Sequence, residues 1–317
     1  MSEPLGVLSD DELRLVGLMR DQLDRADRAN RLVEAYYEGS HRAKLLGISI
    51  PPTFARVRTV IGWPGIAVDS VEERLDWLGW SGGADMGLDG VFADNGLGVE
   101  SGVAHLDALI FGVGFVTVSA GLEGEPEVLV AMQSPKAATG IFDQRARRLS
   151  AGMVRIAAGD EGGAGEQIEV LLPDQIIRVV RAGQAWRVQD RQEHGAGQVP
   201  MVAMPNRRRT SRHSGRSEIT KAVRSITDNA VRTLLGMEIN REFYSSPQRW
   251  AMGADPSEFT REDGTLRTGW EVLLGSVWAI GRDEDGNSPT VGQFAPASPA
   301  PYVDQVRALS QLMAAEA

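Results

Sequence analysis

Residues 204–234 read MPNRRRTSRHSGRSEITKAVRSITDNAVRTL, and two different chemistries meet inside them. Arg207 to Arg216 hold five arginines and one histidine, Arg207, Arg208, Arg209, Arg212, His213 and Arg216, with no large apolar side chain between them. From Gly215-Arg216-Ser217 onward the pattern turns regular: Ile219, Val223, Ile226, Ala230, Leu234 and Ile239 recur at helical spacing and make an apolar stripe built to pack. Ser217 suits an N-cap, and Glu218 suits the positive end of the helix dipole. Lys221, Arg224, Asp228, Arg232, Glu238 and Arg241 fall off the stripe. The pattern runs to about Ser245, ahead of Pro247, which at ~1.5 Å per residue predicts a rod about 40 Å long.

Upstream of this rod the chain reads as mixed helix and strand. Ser9 or Asp10 caps a long charged helix through Leu13, Val16, Leu23 and Leu32 to Tyr37, stopped near Gly39. Ile48 to Pro52 reads as extended, since proline restricts itself and its predecessor, and a short helix from Thr53 to Ile61 follows. Gly65 to Val68 reads as a strand, Ser70 as the cap of a helix Val71 to Leu78, and Gly79 to Gly90 as loose. Glu100 to Ile110 keeps helical spacing, and Phe111 to Ser119 reads as a strand entered through Gly112 and Gly114. Glu127–Met132, Ser150–Ala157, Gln167–Leu172, Gln175–Val180, Ala185–Val188 and Val199–Met204 are rich in Val, Ile and Leu between turn residues and predict an antiparallel meander. Residues 1–205 are therefore read as one α+β domain.

Downstream, Arg267 to Ile280 reads as strand material carrying Trp270 and Trp278. Asp285-Gly286-Asn287 reads as a hairpin turn into Thr290–Phe294. A Pro and Ala linker then leads to a last helix with Tyr302, Val306, Leu309 and Met313, and the chain is expected to stop inside that element.

Composition narrows the function classes. The 317 residues are 42% hydrophobic and 24% charged, which fits a globular chain long enough for two or more domains. Cysteine is absent, so no disulfide framework or thiolate metal cluster is possible. The first residues carry acids where a signal peptide has a basic segment, and no run reaches the ~18 apolar residues of a membrane span. A formal net charge of -10 argues against sequence-specific nucleic-acid binding, which needs clustered cations on the presented face. DNA as a neighbour is still compatible, because a surface past which DNA slides should attract it weakly.

Catalytic patterns are weak. Gly96-Leu-Gly98-Val-Glu-Ser-Gly102 has the wrong spacing for a dinucleotide loop, and no G-K-[ST] occurs, so it reads as a helix-entry loop. His41, His105, His194 and His213 lack any H-x-x-x-H or H-E-x-x-H spacing, and His105 reads as a packed histidine. Asp283-Glu284-Asp285 and Asp10-Asp11-Glu12 read as turn and capping acids, and no G-x-S-x-G elbow is present. No catalytic residue, metal ligand or cofactor is assigned. The run Arg207 to Arg216 reads either as a solvated loop or as a direct DNA contact.

Tyr36-Tyr37-Glu38-Gly39, then Asn95-x-Leu97 with Glu100, His105, Ala108, Gly112 and Phe115-Val116-x-Val118, and above all Gly215-Arg216-Ser217-Glu218-Ile219 leading to Glu242-Phe243-Tyr244-Ser245-Ser246-Pro247-Gln248-Arg249-Trp250, resemble the portal proteins of tailed bacteriophages, of the kind common in actinobacterial phages and prophages. The likeness covers most of the chain in order. It implies a portal-like fold: an α/β wing over residues 1–205, a basic hinge and first stem helix over 206–251, a small β-containing clip over 252–296, and the start of a second stem helix over 297–317. The family's helical crown would lie beyond.

The resemblance further implies a ring homo-oligomer, usually a dodecamer, at a capsid vertex of the virion, assembled in the host cytoplasm. Its partners would be the terminase large subunit, head-completion and adaptor proteins, the major capsid or scaffold protein, and double-stranded DNA passing non-specifically, with no membrane and no cofactor. Under it, Lys221, Arg224, Asp228, Arg232, Glu238 and Arg241 are channel candidates, and Arg207, Arg208, Arg209, Arg212 and Arg216 form the hinge. Trp270, Trp278 and Arg282 are clip interface candidates. Two other classes stay open: a sequence-independent DNA-binding protein, and a monomeric metal-dependent hydrolase or nuclease.

Overall fold

The computed structural model describes residues 6–42, 59–81, 86–157, 165–183, 185–244, 249–253, 264–265, 288–293 and 298–316. Met1–His41 with Gly62–Arg224 make one compact unit, and Arg42–Ile61 with Ser225–Glu316 make another.

The first unit is organised by helix α1 (Asp10–Tyr37). Its start is a capping box: Ser9 Oγ accepts from the Glu12 N–H and Glu12 Oε2 accepts from the Ser9 N–H. Its buried side includes Val16, Met19 and Leu23, spaced for one helical face. That face packs on a five-stranded antiparallel meander, β3 (Ala138–Asp143), β4 (Arg148–Ala157), β5 (Gln167–Leu171), β6 (Gln175–Ala182) and β7 (Ala185–Glu193).

Successive strand residues point to opposite faces, and here both faces are buried. Ala151, Met153, Ile168, Val170, Ile177, Val179 and Val188 meet Val16, Met19 and Leu23 of α1. Leu149, Val154 and Leu171 on the other face meet Phe115 and Met201 of a second sheet, ordered β2-β1-β8. Its strands are β1 (Val113–Ala120), β2 (Val128–Gln133) and β8 (Met201–Pro205). Ionic fastenings reinforce the α1 contact. Glu166 accepts from Arg20 at 2.9 Å and from Arg155 at 3.0 Å, and Arg191 grips both oxygens of Glu12 at 2.7 and 2.8 Å. The Arg191 guanidinium is the main reason the Glu12 carboxyl is held down at about 2; the Ser9 hydrogen bonds add to it, and burial opposes it.

Three short helices, α2 (Trp63–Glu72), α3 (Leu88–Asp94) and α4 (Leu97–Phe111), complete this unit. Asn95, one of the residues carrying the family likeness, sits in the α3–α4 turn. Its side chain accepts from the Val130 N–H at 2.8 Å and donates to the Val128 carbonyl at 2.8 Å, fastening the helices to the edge strand β2. Tyr37 donates to Asp69 at 2.8 Å, and its hydroxyl is pushed up to about 12, first by burial and then by that bond.

The described part of the other unit has a two-stranded ribbon, β9 (Arg249–Met252) with β10 (Thr290–Gln293), most of helix α5 (Lys221–Tyr244) and helix α6 (Ala300–Glu316). The expected elements at Ile48–Pro52, most of Thr53–Ile61, Arg267–Ile280 and Asp285–Asn287 lie outside the described residues.

Several expected elements change type or place. Gly65–Val68 is helical, inside α2, and Ser70 lies within that helix with its hydroxyl bonded back to the Ala67 carbonyl. A short apolar run cannot be assigned by period alone, and Pro64 at the first turn favours the helix. α2 ends at Glu72, so the expected helix from Val71 to Leu78 does not form. Helix α3 falls in and beyond the segment read as loose. β3 was not expected, because Ala-Thr-Gly-Ile-Phe-Asp is a weak strand pattern that becomes one by pairing with β4. Two segments expected in the meander, β2 and β8, instead flank β1.

Candidate functional site

The basic run emerges from β8 and returns to α5 through a closed neck. At the start of the neck the Asn206 N–H donates to the Gly112 carbonyl at 2.9 Å, and at its end the Arg216 N–H donates to the Asn206 carbonyl at 2.8 Å. The Asn206 amide also donates to the Arg216 carbonyl at 2.8 Å and to Glu218 Oε1 at 2.7 Å, while Arg207 reaches the same oxygen at 2.5 Å. Glu218 in turn donates its N–H to the Leu109 carbonyl of α4 at 2.9 Å.

Two glycines make this closeness possible. Gly112 and Gly215 have φ of 97° and 63°, and a Cβ on Gly215 would stand 2.2 Å from the Gly112 carbonyl oxygen.

Ser217 and Glu218 therefore do not start the helix. Ser217 Oγ accepts from the Ile219 N–H, and α5 begins at Lys221, with Thr220 as its cap: Thr220 Oγ1 accepts from the Val223 N–H at 3.2 Å. Glu218 is spent on the neck. A sequence reading scores Ser-Glu before an apolar stripe as a helix start, and only the fold shows these groups claimed by Asn206 and Arg207.

Beyond the neck the loop doubles back on itself, with Arg209 and Arg212 exchanging backbone bonds at 3.2 and 3.0 Å. Arg208 lies 4.9 Å from the Phe142 ring centroid, and His213 stacks on the same ring at 4.2 Å. Arg208, Arg209, Arg212 and Arg216 are exposed, and none has a carboxylate within 4.0 Å among the described residues. Arg207 is the arginine of this run that pairs with a carboxylate among the described residues.

Beside the loop, two adjoining hollows share Ala29, Asn30, Phe111 and Arg212. One, of about 710 Å³, has an apolar floor of Leu23, Phe115 and Ile141 with Arg25 and His213 among its walls. The other is walled by Arg212, Arg216, Lys221 and Arg224. Among the described residues no aspartate or glutamate lines either one. The His213 Nδ1 is buried without a hydrogen-bond partner among the described residues.

The α5 candidates separate by position. Lys221 is exposed, and Arg224 is half-buried, 6.0 Å from the Tyr36 ring. Arg232 bonds Asn229, and Arg241 pairs with Glu238 one turn away at 2.6 Å. Asp228 is half-buried. Of the apolar stripe, Ile219, Val223 and Ala230 are buried, while Ile226, Leu234 and Ile239 are half-buried. Thr227, Thr233, Leu235 and Asn240 are buried as well, so the buried side of α5 is more polar than the stripe predicts. Trp270, Trp278 and Arg282 lie outside the described residues.

The histidines have separate surroundings: His41 stacks on Tyr36, His194 bonds the Leu172 carbonyl and His213 stacks on Phe142. Among the described residues no group of three His, Asp or Glu is placed to hold a metal ion, and no helix is long and apolar enough to cross a membrane.

Residues 20–292 match the family described as Phage portal protein, SPP1 Gp6-like. Among individual relatives, the portal protein of Mycobacterium phage L5 is 29% identical over 294 residues, and that of Mycobacterium phage D29 is 30% identical over 291. Each alignment takes in 89% of this chain, and the chain spans 59% of the length of each relative. A solved structure titled as the neck of a native GTA particle computed with C12 symmetry is similar at 14% identity, with a TM-score of 0.38, over 79% of this chain and 63% of that one.

Proposed function

This chain belongs to the phage portal protein family, and from that premise we propose that it is the wing, first stem and clip portion of a subunit of the ring-shaped portal at a capsid vertex. In this reading residues 1–205 are the wing, 206–251 the basic hinge and first stem helix, 252–296 the clip and 297–317 the start of the second stem helix. The ring, dodecameric as the resemblance implies, is the channel through which DNA is packaged and ejected. It also docks the terminase large subunit, the head-completion and adaptor proteins and the capsid or scaffold protein. Its place is the virion, after assembly in the host cytoplasm.

The observation that carries the reading is the family match across both compact units, residues 20–292. The geometry supports it in a second way. A rigid neck presents exposed cations on a chain whose formal net charge is -10, an arrangement that guides a polyanion without gripping it. Family membership favours this structural role over a hydrolase or a free-standing DNA-binding protein.

Light scattering after size exclusion, with negative-stain images of the same peak, tests it. Rings with a central hole are the expected result, together with weak duplex affinity for any monomer fraction. A chain that stays monomeric at every concentration and binds duplex tightly, with a steep salt slope, would overturn it.

A further inference from the structure

We propose that the cation-walled groove beside α1 is the receiving half of a contact between copies of this chain, and that its occupant is the acidic β1–β2 hairpin tip of the neighbouring copy. This rests on the ring reading above.

The groove and the tip complement each other in charge and in shape of polarity. The two hollows are walled by Arg25, Arg212, Arg216, Lys221 and Arg224, carry no acid among the described residues, and the first has an apolar floor. The tip, residues 121–127, reads GLEGEPE, with Glu123, Glu125 and Glu127 and no basic residue. At the first position of its turn Leu122 is 76% exposed, a large apolar side chain with three glutamates close by in sequence. Leu122 fits the floor and the glutamates fit the walls. Opposite charges across such a contact fix its register as well as its strength.

The tip is also ready to dock. The Leu122 N–H is held by Glu125 Oε2 at 2.9 Å, the Glu125 N–H by the Leu122 carbonyl at 3.0 Å, and the Gly121 N–H by the Glu127 carbonyl at 3.2 Å. Little freedom is left to lose on binding.

The tip cannot fill the groove of its own copy. Val113 and Phe115, at the start of β1, line the first hollow, whereas the tip follows Ala120 at the other end of the strand. At ~3.3 Å per residue the two are about 25 Å apart. Groove and tip are different surfaces at opposite ends of one strand, so their contact is head-to-tail and repeats from copy to copy, closing into a ring when the rotation allows.

The chain has no cysteine, which makes the contact readable by cross-linking. Ala29 is exposed where the two hollows meet, so A29C and L122C are placed on the two halves without touching the core. Chains carrying A29C and L122C separately are mixed, oxidised and followed by gel and negative stain. The expected result is a mixed adduct absent from either chain alone, and a covalent ladder from the double variant A29C/L122C. Adding R212E should cut the adduct yield about tenfold, and adding E123R on the partner chain should restore most of it.

Rings without an adduct overturn this contact and leave the ring reading standing. An adduct that responds to the charge swap in the absence of rings upholds the contact while the ring reading falls. Neither rings nor adducts overturn both. An adduct indifferent to R212E overturns the charge match on which the contact depends.

Discussion

Arginine has opposite duties at the α1–meander contact and in the basic loop. In the first, Arg20 and Arg155 converge on Glu166, whose side chain is 11% exposed, and Arg191 clasps Glu12, so each cation is matched inside the fold. In the second, Arg208, Arg209, Arg212 and Arg216 face solvent with no carboxylate within 4.0 Å among the described residues. A charge removed from water must be paired, whereas an exposed one need not be. The loop owes its shape to backbone bonds at its neck, to Gly112 and Gly215, and to Glu218. Beyond the neck, Arg209 and Arg212 contribute backbone bonds and Arg208 lies over Phe142, but none of the four outer side chains has a carboxylate within 4.0 Å among the described residues, so their charge is left for contacts outside the fold.

Breaking the matched region should cost most. Glu166→Ala leaves Arg20 and Arg155 without their shared carboxylate and should lower stability by about 4 kcal/mol, read as a shift of the urea midpoint at unchanged slope. A loss under 1 kcal/mol would mean that the Glu166 pairs add little to the α1 contact. Next comes the neck. Gly215→Ala should cost about 3 kcal/mol through steric overlap with the Gly112 and Asn206 carbonyls, against about 1 kcal/mol for Gly197→Ala, which shares a φ of 63° but has no neighbour within 4 Å. Equal losses would show that backbone strain, not crowding, governs the neck.

Acid should act on the matched region through Glu12. The Glu12 carboxyl lies at about 2 in the folded chain, below its ordinary 4.5. Its contribution is therefore complete above pH 4.5 and fades as pH falls toward 2, a loss of about 3 kcal/mol that Glu12→Gln should abolish from the pH profile. A profile unchanged by Glu12→Gln would remove the Arg191 bond from the account. The smallest effect on stability belongs to the loop. Replacing Arg208, Arg209, Arg212 and Arg216 together by glutamine should move the unfolding free energy by no more than about 0.5 kcal/mol. The same variant should lose ring formation in light scattering, and a variant that unfolds instead would erase the contrast between the two regions.

Much of the α+β architecture was legible in the residues. α1 announced itself through its Ser9 cap and the spacing of Val16 and Leu23, and α4 through its periodicity. Most meander strands stood out as Val and Ile runs between turns. α2 was misread because Gly-Ile-Ala-Val has no period long enough to separate helix from strand. β3 was missed because its strand character comes from the partner strand β4. The candidate site was half legible. The arginine cluster is visible in any reading of composition, but the neck that fixes it joins Gly112 to Gly215 and Asn206 to Glu218. The hollow floor unites Leu23, Phe115 and Ile141, which are far apart in sequence.

What the sequence determined by itself is local: which stretches are helix or strand when period and caps agree, where positive charge is concentrated, and the absence of cysteine. Those properties depend on neighbours within a turn or two of the chain. The tertiary structure decided which arginines are consumed and which are left over, which residue starts α5, and that a cation-walled groove lies at the opposite end of β1 from an acidic tip. Pairing, burial and steric clearance are relations between distant segments, and they exist only once those segments have been brought together.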